Sequence, residues 1–175
     1  ELPEVDAAAY FKHDGFILDQ MEGAVTSGPV GYKHALMHEK LQKAVALFET
    51  SPFNIYTGPE TPELLVITSS ACHLYSKEAI SLLDVSDRVG LLKLATTWPL
   101  PPELLKTHLS KSGKVLVVEE VIPFLEESVK ILVAENVAEI GPKTFFGKRD
   151  GTIPSVGELN PDLIINAIAG KIGRA

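Results

Sequence analysis

The pattern of apolar and polar positions changes character near Leu64. Before it, one stretch has clear periodicity. From Lys33 to Thr50, Leu41, Val45 and Phe48 recur at helical spacing, with Leu36 and Met37 a turn earlier. His38, Glu39, Lys40 and Lys43 fill much of the opposite face, so a helix is predicted there. Ser51-Pro52 ends it, because the residue before a proline avoids the helical conformation. A short helix is predicted at Ala7–Phe11, and the turn residues Gly23, Ser27-Gly28-Pro29 and Gly31 predict a loop over 23–31.

From Leu64 onward, short apolar runs alternate with amphipathic stretches. Leu64–Ile67, Val89–Leu94 and Lys114–Glu119 read as strands, the last with the strongest signal, Val115-Leu116-Val117-Val118. Val137–Ile140 reads as a short fourth strand. Between and after them, Tyr75–Leu83, Pro101–Leu109, Pro123–Ala134 and Pro161–Ala169 read as helices, the last with Asn160 as N-cap and Pro161 at its first position. Unbroken apolar strands separated by helices predict right-handed βαβ units and a parallel sheet covered on both faces. The expected organisation is an irregular extension over residues 1–60 and an α/β domain over 61–175.

Length and composition narrow the possibilities. A chain of 175 residues suits one domain with a substantial core. The net charge is −7 and no basic patch is visible, which disfavours nucleic acid as a partner. No apolar run is long enough for a membrane-spanning helix, and the N-terminus lacks a signal-peptide pattern. The lone Cys72 excludes an internal disulfide and fits a reducing compartment, so a cytoplasmic location is expected. The first residue is Glu1 rather than Met, which suggests a chain trimmed or cut from something longer.

Candidate chemistry is sparse. Neither G-x-G-x-x-G nor the P-loop pattern occurs, so a nucleotide phosphate cradle is not expected. His34 and His38 share a helix face, but two imidazoles without a third ligand make a poor zinc site, and no metal site is expected. The segment after the first strand carries Ser69, Ser70, Cys72 and His73, a possible ligand loop. Its two hydroxyls suit capping of the next helix better than ligand contact, and Cys72 suits a buried thiol better than a nucleophile. Glu119 and Glu120 end the strongest strand, where open α/β sheets gather ligands and partners. They suit a cation or a partner's arginine; equally, Glu120 caps or pairs locally while Glu119 faces solvent. Trp98, within Trp98-Pro99-Leu100-Pro101-Pro102, either seals the sheet edge or contacts a partner. No catalytic residue is expected.

Several segments together resemble the alpha subunit of indolepyruvate ferredoxin oxidoreductases: His38-Glu39-Lys40-Leu41 through Ser51-Pro52-Phe53-Asn54, Leu92-Lys93-Leu94, Thr97-Trp98-Pro99-Leu100-Pro101, Lys114–Glu120, Pro123–Glu127 and Gly157–Asp162. Their order and spacing carry the resemblance over roughly residues 34–170. It implies the subunit's middle domain, similar to the C-terminal domain of transketolase. The implied fold is a three-layer α/β/α sandwich, with a mainly parallel sheet of about five strands and one antiparallel edge strand. The whole enzyme of that family oxidatively decarboxylates aryl 2-oxo acids to acyl-coenzyme A. It uses thiamine diphosphate, magnesium and 4Fe-4S clusters, and passes electrons to ferredoxin. Its G-D-G motif and cysteine clusters are absent from this sequence. The resemblance therefore implies a domain that binds no cofactor and is inactive alone. Its partners would be the thiamine-binding and ferredoxin-like domains and the beta subunit, and its role assembly, with Trp98, Glu119 and Glu120 at interfaces. Alternatives are a contribution to the coenzyme A pocket through Ser69–His73, or a stand-alone α/β binding module. One departure stands out: the family usually places a glycine after the serine where this chain has Ser69-Ser70.

Overall fold

The computed structural model describes residues 30–173. The short helix expected at Ala7–Phe11 lies outside the described residues, as do residues 23–29 of the expected loop. Val30 and Gly31, the end of that loop, are helical: they open helix α1 (Val30–Glu49), none of whose residues is buried. The chain divides into two compact units between Lys43 and Ala44. The described part of the first is the beginning of α1. The sheet and the helices that cover it belong to the second.

The second unit runs β1 (Ile55–Thr57), β2 (Leu64–Thr68), α2 (Ser70–Leu83), β3 (Val89–Lys93), α3 (Pro102–Leu109), β4 (Lys114–Val118), α4 (Phe124–Glu135), α5 (Val137–Ile140), β5 (Thr144–Phe146) and α6 (Pro161–Lys171). The strands form one five-stranded sheet in the order β1-β3-β2-β4-β5. Val66 lies between Leu91 and Leu116 in parallel register, and Leu116 pairs onward with Phe146. Only β1 is antiparallel, with Tyr56 opposite Leu92. This is the antiparallel edge strand the resemblance implied. It falls at residues 55–57, where the apolar pattern alone marks no strand.

Alternation within each strand divides the core into two clusters. Leu64, Val66, Leu91, Leu116 and Val118 face α2 and α6 with Cys72, Ala79, Ile80, Ile164 and Ile168. Leu65, Ile67, Leu92, Val115 and Val117 face α3 and α4 with Leu105, Leu109, Leu125 and Val129. Burial on both faces is why β2 and β4 are continuous apolar runs. The expected α/β/α sandwich with a mainly parallel sheet is the observed fold.

Two expected elements differ. Residues Val137–Ile140 form a helical turn, not a strand. Four residues satisfy either periodicity, and the Asn136 carbonyl accepts from both Glu139 and Ile140, at 3.0 and 3.1 Å, so the turn follows directly on α4. The strand slot is filled instead by Thr144–Phe146, which exposes Phe145 and Phe146 only partly. Helix α2 begins at Ser70 rather than Tyr75, because its buried stripe already starts at Cys72 and continues through Ser76, Ala79 and Ile80. The supposed loop Ser69–His73 is thus mostly the first turn of a helix. Elsewhere the chemistry matches the expected elements. Asn160 caps α6 by accepting from Leu163 N at 3.1 Å. The start of α3, where Pro101 cannot cap, is held by Glu49, whose carboxylate accepts from Glu103 N and Leu104 N at 2.9 and 2.7 Å.

Candidate functional site at the carboxyl ends of β2 and β4

Strand order fixes where a site would form. From β2 the chain crosses through α2 to β3 on one side, whereas from β4 it crosses through α4 to β5 on the other. Neighbouring strands whose connections depart in opposite directions open a crevice at their carboxyl ends, the usual site in open α/β sheets. Here the crevice lies between the exits of β2 and β4. Thr68 Oγ1 donates to the Val118 carbonyl at 2.9 Å and ties its floor. Ser69 and Ser70 form one lip, and Glu119, Glu120 and Val121 the other.

Both lips carry unusual backbone. Ser70 has φ +51° and Val121 has φ +60°. Left-handed backbone is uncommon for any residue with a side chain and is a genuine outlier for a β-branched one. Ser70 stands where the resembled family places glycine, so the serine adopts the conformation that glycine would supply without strain. Ser69 occupies the N-cap position of α2 but its side chain makes no capping hydrogen bond, so the expected hydroxyl cap is not formed.

The two adjacent glutamates divide their roles opposite to one of the readings above. Glu119 is buried and Glu120 is exposed. Strand alternation explains this: Val115 and Val117 face α4, so Glu119 does too. Its carboxylate accepts from Leu125 N and Glu126 N, at 2.7 and 2.8 Å, capping α4 in place of Pro123. Burial pushes its pKa up, against the pull of those two backbone donors.

Glu126, unremarked in the sequence, sits beneath. It is fully buried, and its carboxylate accepts from Lys130 Nζ at 2.5 Å, Lys148 N at 2.8 Å and Arg149 N at 3.1 Å. It therefore holds the turn that leaves β5. Gly147 is required there, because an added Cβ would lie 2.5 Å from Glu126 Oε2. Lys148 is itself buried and donates to the Pro154 carbonyl at 2.8 Å. Arg149 pairs with Glu127 of α4. The sequence signal that could have found Glu126 is an acidic residue on the apolar stripe of α4, one turn from Val129 and Lys130.

Cys72 is buried in the cluster that faces α2 and α6, near enough to feel these charges. Burial, with the Glu120 carboxylate next and Glu119 adding less, pushes its thiol up to about 11 against the opposing pull of Lys148. A thiol so held is protonated at neutral pH and a poor nucleophile. His73 answers to different neighbours: burial, then Lys93 and Lys77, push its pKa down. Its Nδ1 finds no hydrogen-bond partner among the described residues. Trp98 is 61% exposed beyond the end of β3. Ser69, Ser70, Glu119 and Glu120 thus follow the two strands that flank the crevice, with Cys72 buried on one face of the sheet and Glu119 on the other, and Trp98 follows β3, the next strand beyond β2.

His34 and His38 meet on α1 with their Nε2 atoms 2.9 Å apart. Among the described residues, no three His, Cys, Asp or Glu side chains converge as metal ligands. A cavity of about 310 Å³ lies at the opposite end of α2, between Lys77, Ile80 and Asp84 and the strand residues Val89 and Leu91.

Comparison with known proteins finds relatives of the chain. It is 35% identical over 141 residues to the indolepyruvate oxidoreductase subunit IorA of Pyrococcus horikoshii, covering 81% of this chain and 21% of that protein. The subunits of the same name from Methanothermobacter thermautotrophicus and Archaeoglobus fulgidus are 31% identical over 83% of the chain and 32% over 79%. The chain is homologous to one segment of IorA. It spans about a fifth of the length of these relatives. No protein-family model matches it.

Two solved structures share the fold. A 2-oxoglutarate:ferredoxin oxidoreductase from Magnetococcus marinus, with 2-oxoglutarate, coenzyme A and succinyl-CoA bound, superposes with a TM-score of 0.51 at 21% identity over 86% of this chain and 25% of that one. A split-gene transketolase, an inactive beta4 tetramer, gives 0.50 at 20% identity over 68% of this chain and 41% of that one. The IorA-homologous α/β fold is thus also found in a 2-oxoacid oxidoreductase and a transketolase.

Proposed function

We propose that this chain is an assembly domain of a thiamine-diphosphate-dependent indolepyruvate:ferredoxin oxidoreductase, inactive alone and cytoplasmic. Its task is to pack against the thiamine-binding domains and hold the active site in shape. The observation that carries this reading is homology to IorA over most of this chain but only about a fifth of the relatives. The chemistry of the site supports it. The crevice is built from backbone caps and buried carboxylates already bonded to the protein, with a thiol held protonated. A cubane cluster needs four thiolates, and the chain has one cysteine. The donor set here fits neither that cluster nor a magnesium-diphosphate site. In this reading those groups, ferredoxin and the acyl acceptor coenzyme A are met by other domains and the beta subunit.

A binding role for Ser69–His73 at a coenzyme A pocket is the second reading. The unpartnered Nδ1 of His73 favours it. Calorimetry separates the two. The assembly reading expects no heat with thiamine diphosphate or with coenzyme A for the isolated chain. It also expects the native particle containing this chain to oxidise indolepyruvate with coenzyme A while reducing ferredoxin. Saturable heat with coenzyme A, lost in Ser69→Ala or His73→Ala, would transfer the assignment to the pocket reading. A native particle without oxidoreductase activity would defeat both.

A further inference from the structure

The exit of β4 has a shape that its own fold does not need. Glu119 and residues 124–126 are drawn together by the two hydrogen bonds to one carboxylate. The intervening residues are pushed outward, with Val121 at φ +60° and 78% exposed, Ile122 61% exposed and Phe124 44% exposed. A solvated turn at this point would carry glycine or asparagine, which tolerate that backbone, and polar side chains. This one carries two β-branched residues and an aromatic. Glu120 stands beside them, exposed and without an ion-pair partner among the described residues. Large apolar side chains held on a rigid, strained turn and flanked by one free charge are the make-up of an interface anchor with a polar rim.

We infer that Val121, Ile122 and Phe124 form a docking knob, positioned by Glu119, for an apolar surface flanked by a basic side chain on another domain of the larger protein. Two observations choose that occupant. The relatives carry roughly four-fifths of their length beyond the matched segment, so further domains are at hand. The lone carboxylate of Glu120 complements a basic neighbour rather than a second copy of the same acidic knob. The inference rests on the assembly reading and adds to it the surface and the chemistry of the contact.

The test compares labelling rates in the isolated chain and in the native particle. Val121→Cys and, separately, Asp87→Cys at the amino end of β3 are treated with a maleimide; the buried Cys72 supplies the background. The expected result is a slowing of roughly tenfold or more at Val121→Cys in the particle, with Asp87→Cys little changed. Ile122→Cys serves if Val121→Cys does not fold. Glu120→Lys should weaken assembly by roughly tenfold without moving the melting temperature, a readout that a merely structural role would not give. Full labelling of Val121→Cys in an active, intact particle would overturn the knob and leave the assembly reading standing. Equal protection in the isolated chain, with a dimeric mass, would make a second copy the occupant and overturn the inference. A particle with no additional domains would defeat both readings.

Discussion

The two ends of the parallel strands are built from different materials. At the amino ends the connections are Asp84–Arg88, Ser110–Gly113 and Gly141–Lys143, short and polar apart from the buried Val85. Backbone turns close them: Arg88 N donates to the Val85 carbonyl at 3.0 Å, and Thr144 N to the Gly113 carbonyl at 2.8 Å. Their two positive-φ residues are Asp84 and Gly141, types that tolerate that backbone. At the carboxyl ends a serine and a β-branched residue, Ser70 and Val121, join Gly151 and Gly157 at positive φ, the caps are buried carboxylates, and Val121, Ile122 and Val156 lie exposed. The difference teaches that one end is finished as a solvent surface and the other is held in a less comfortable form. Local rules are broken on one edge only, which is the pattern of a functional edge.

The comparison can be broken by mutation, beginning with the deepest group. Glu126→Ala removes a buried carboxylate and strands Lys148 N, Arg149 N and the Lys130 ammonium; the expected loss is about 3 kcal/mol, read from urea unfolding. Glu119→Ala frees the two N–H groups at the start of α4 and should cost about 2 kcal/mol. Ser70→Gly should raise stability by about 1 kcal/mol by relieving the left-handed strain, a rare gain from a glycine. At the amino end, Lys111→Ala breaks only a 3.8 Å contact with Glu60 and should change stability by no more than about 0.5 kcal/mol. Equal losses at the two edges would remove the distinction.

Acidity offers a finer probe of the same edge. Burial raises the folded pKa of Glu119 above its ordinary carboxylate value. The folded state therefore binds its proton more readily than the unfolded state does. Between the two pKa values stability falls as pH rises, so the contribution of Glu119 is greatest in acid and is lost as pH climbs through the folded pKa. Glu119→Gln should flatten that part of the stability profile, measured as urea midpoints across the acid range. A profile unchanged by the substitution would mean that the two backbone donors fully offset the burial.

Much of the fold was legible because β2, β3 and β4 are covered on both faces and their apolar runs are unambiguous. Asn160-Pro161 and the proline starts of α3 and α4 marked helix beginnings for local reasons. Val137–Ile140 was not legible, since four residues carry no decisive period. The edge strand Ile55–Thr57 was invisible in the pattern because only Tyr56 of its three residues turns inward. In the site, the position of Glu119 and Glu120 was readable but their roles were not. Which glutamate is buried depends on which face α4 covers, and that follows from long-range packing. Glu126 and the Val121–Ile122 turn were missed for the same reason: neither the burial of an acid nor the sign of φ is written in residue type.

The most direct test of the account is the native mass of the particle that contains this sequence in its source cells. Blue-native electrophoresis with an antibody against the chain would give it. The account predicts a particle several times larger than 18.9 kDa that also contains thiamine diphosphate. A free species at 18.9 kDa, with no cofactor-bearing partner, would contradict it.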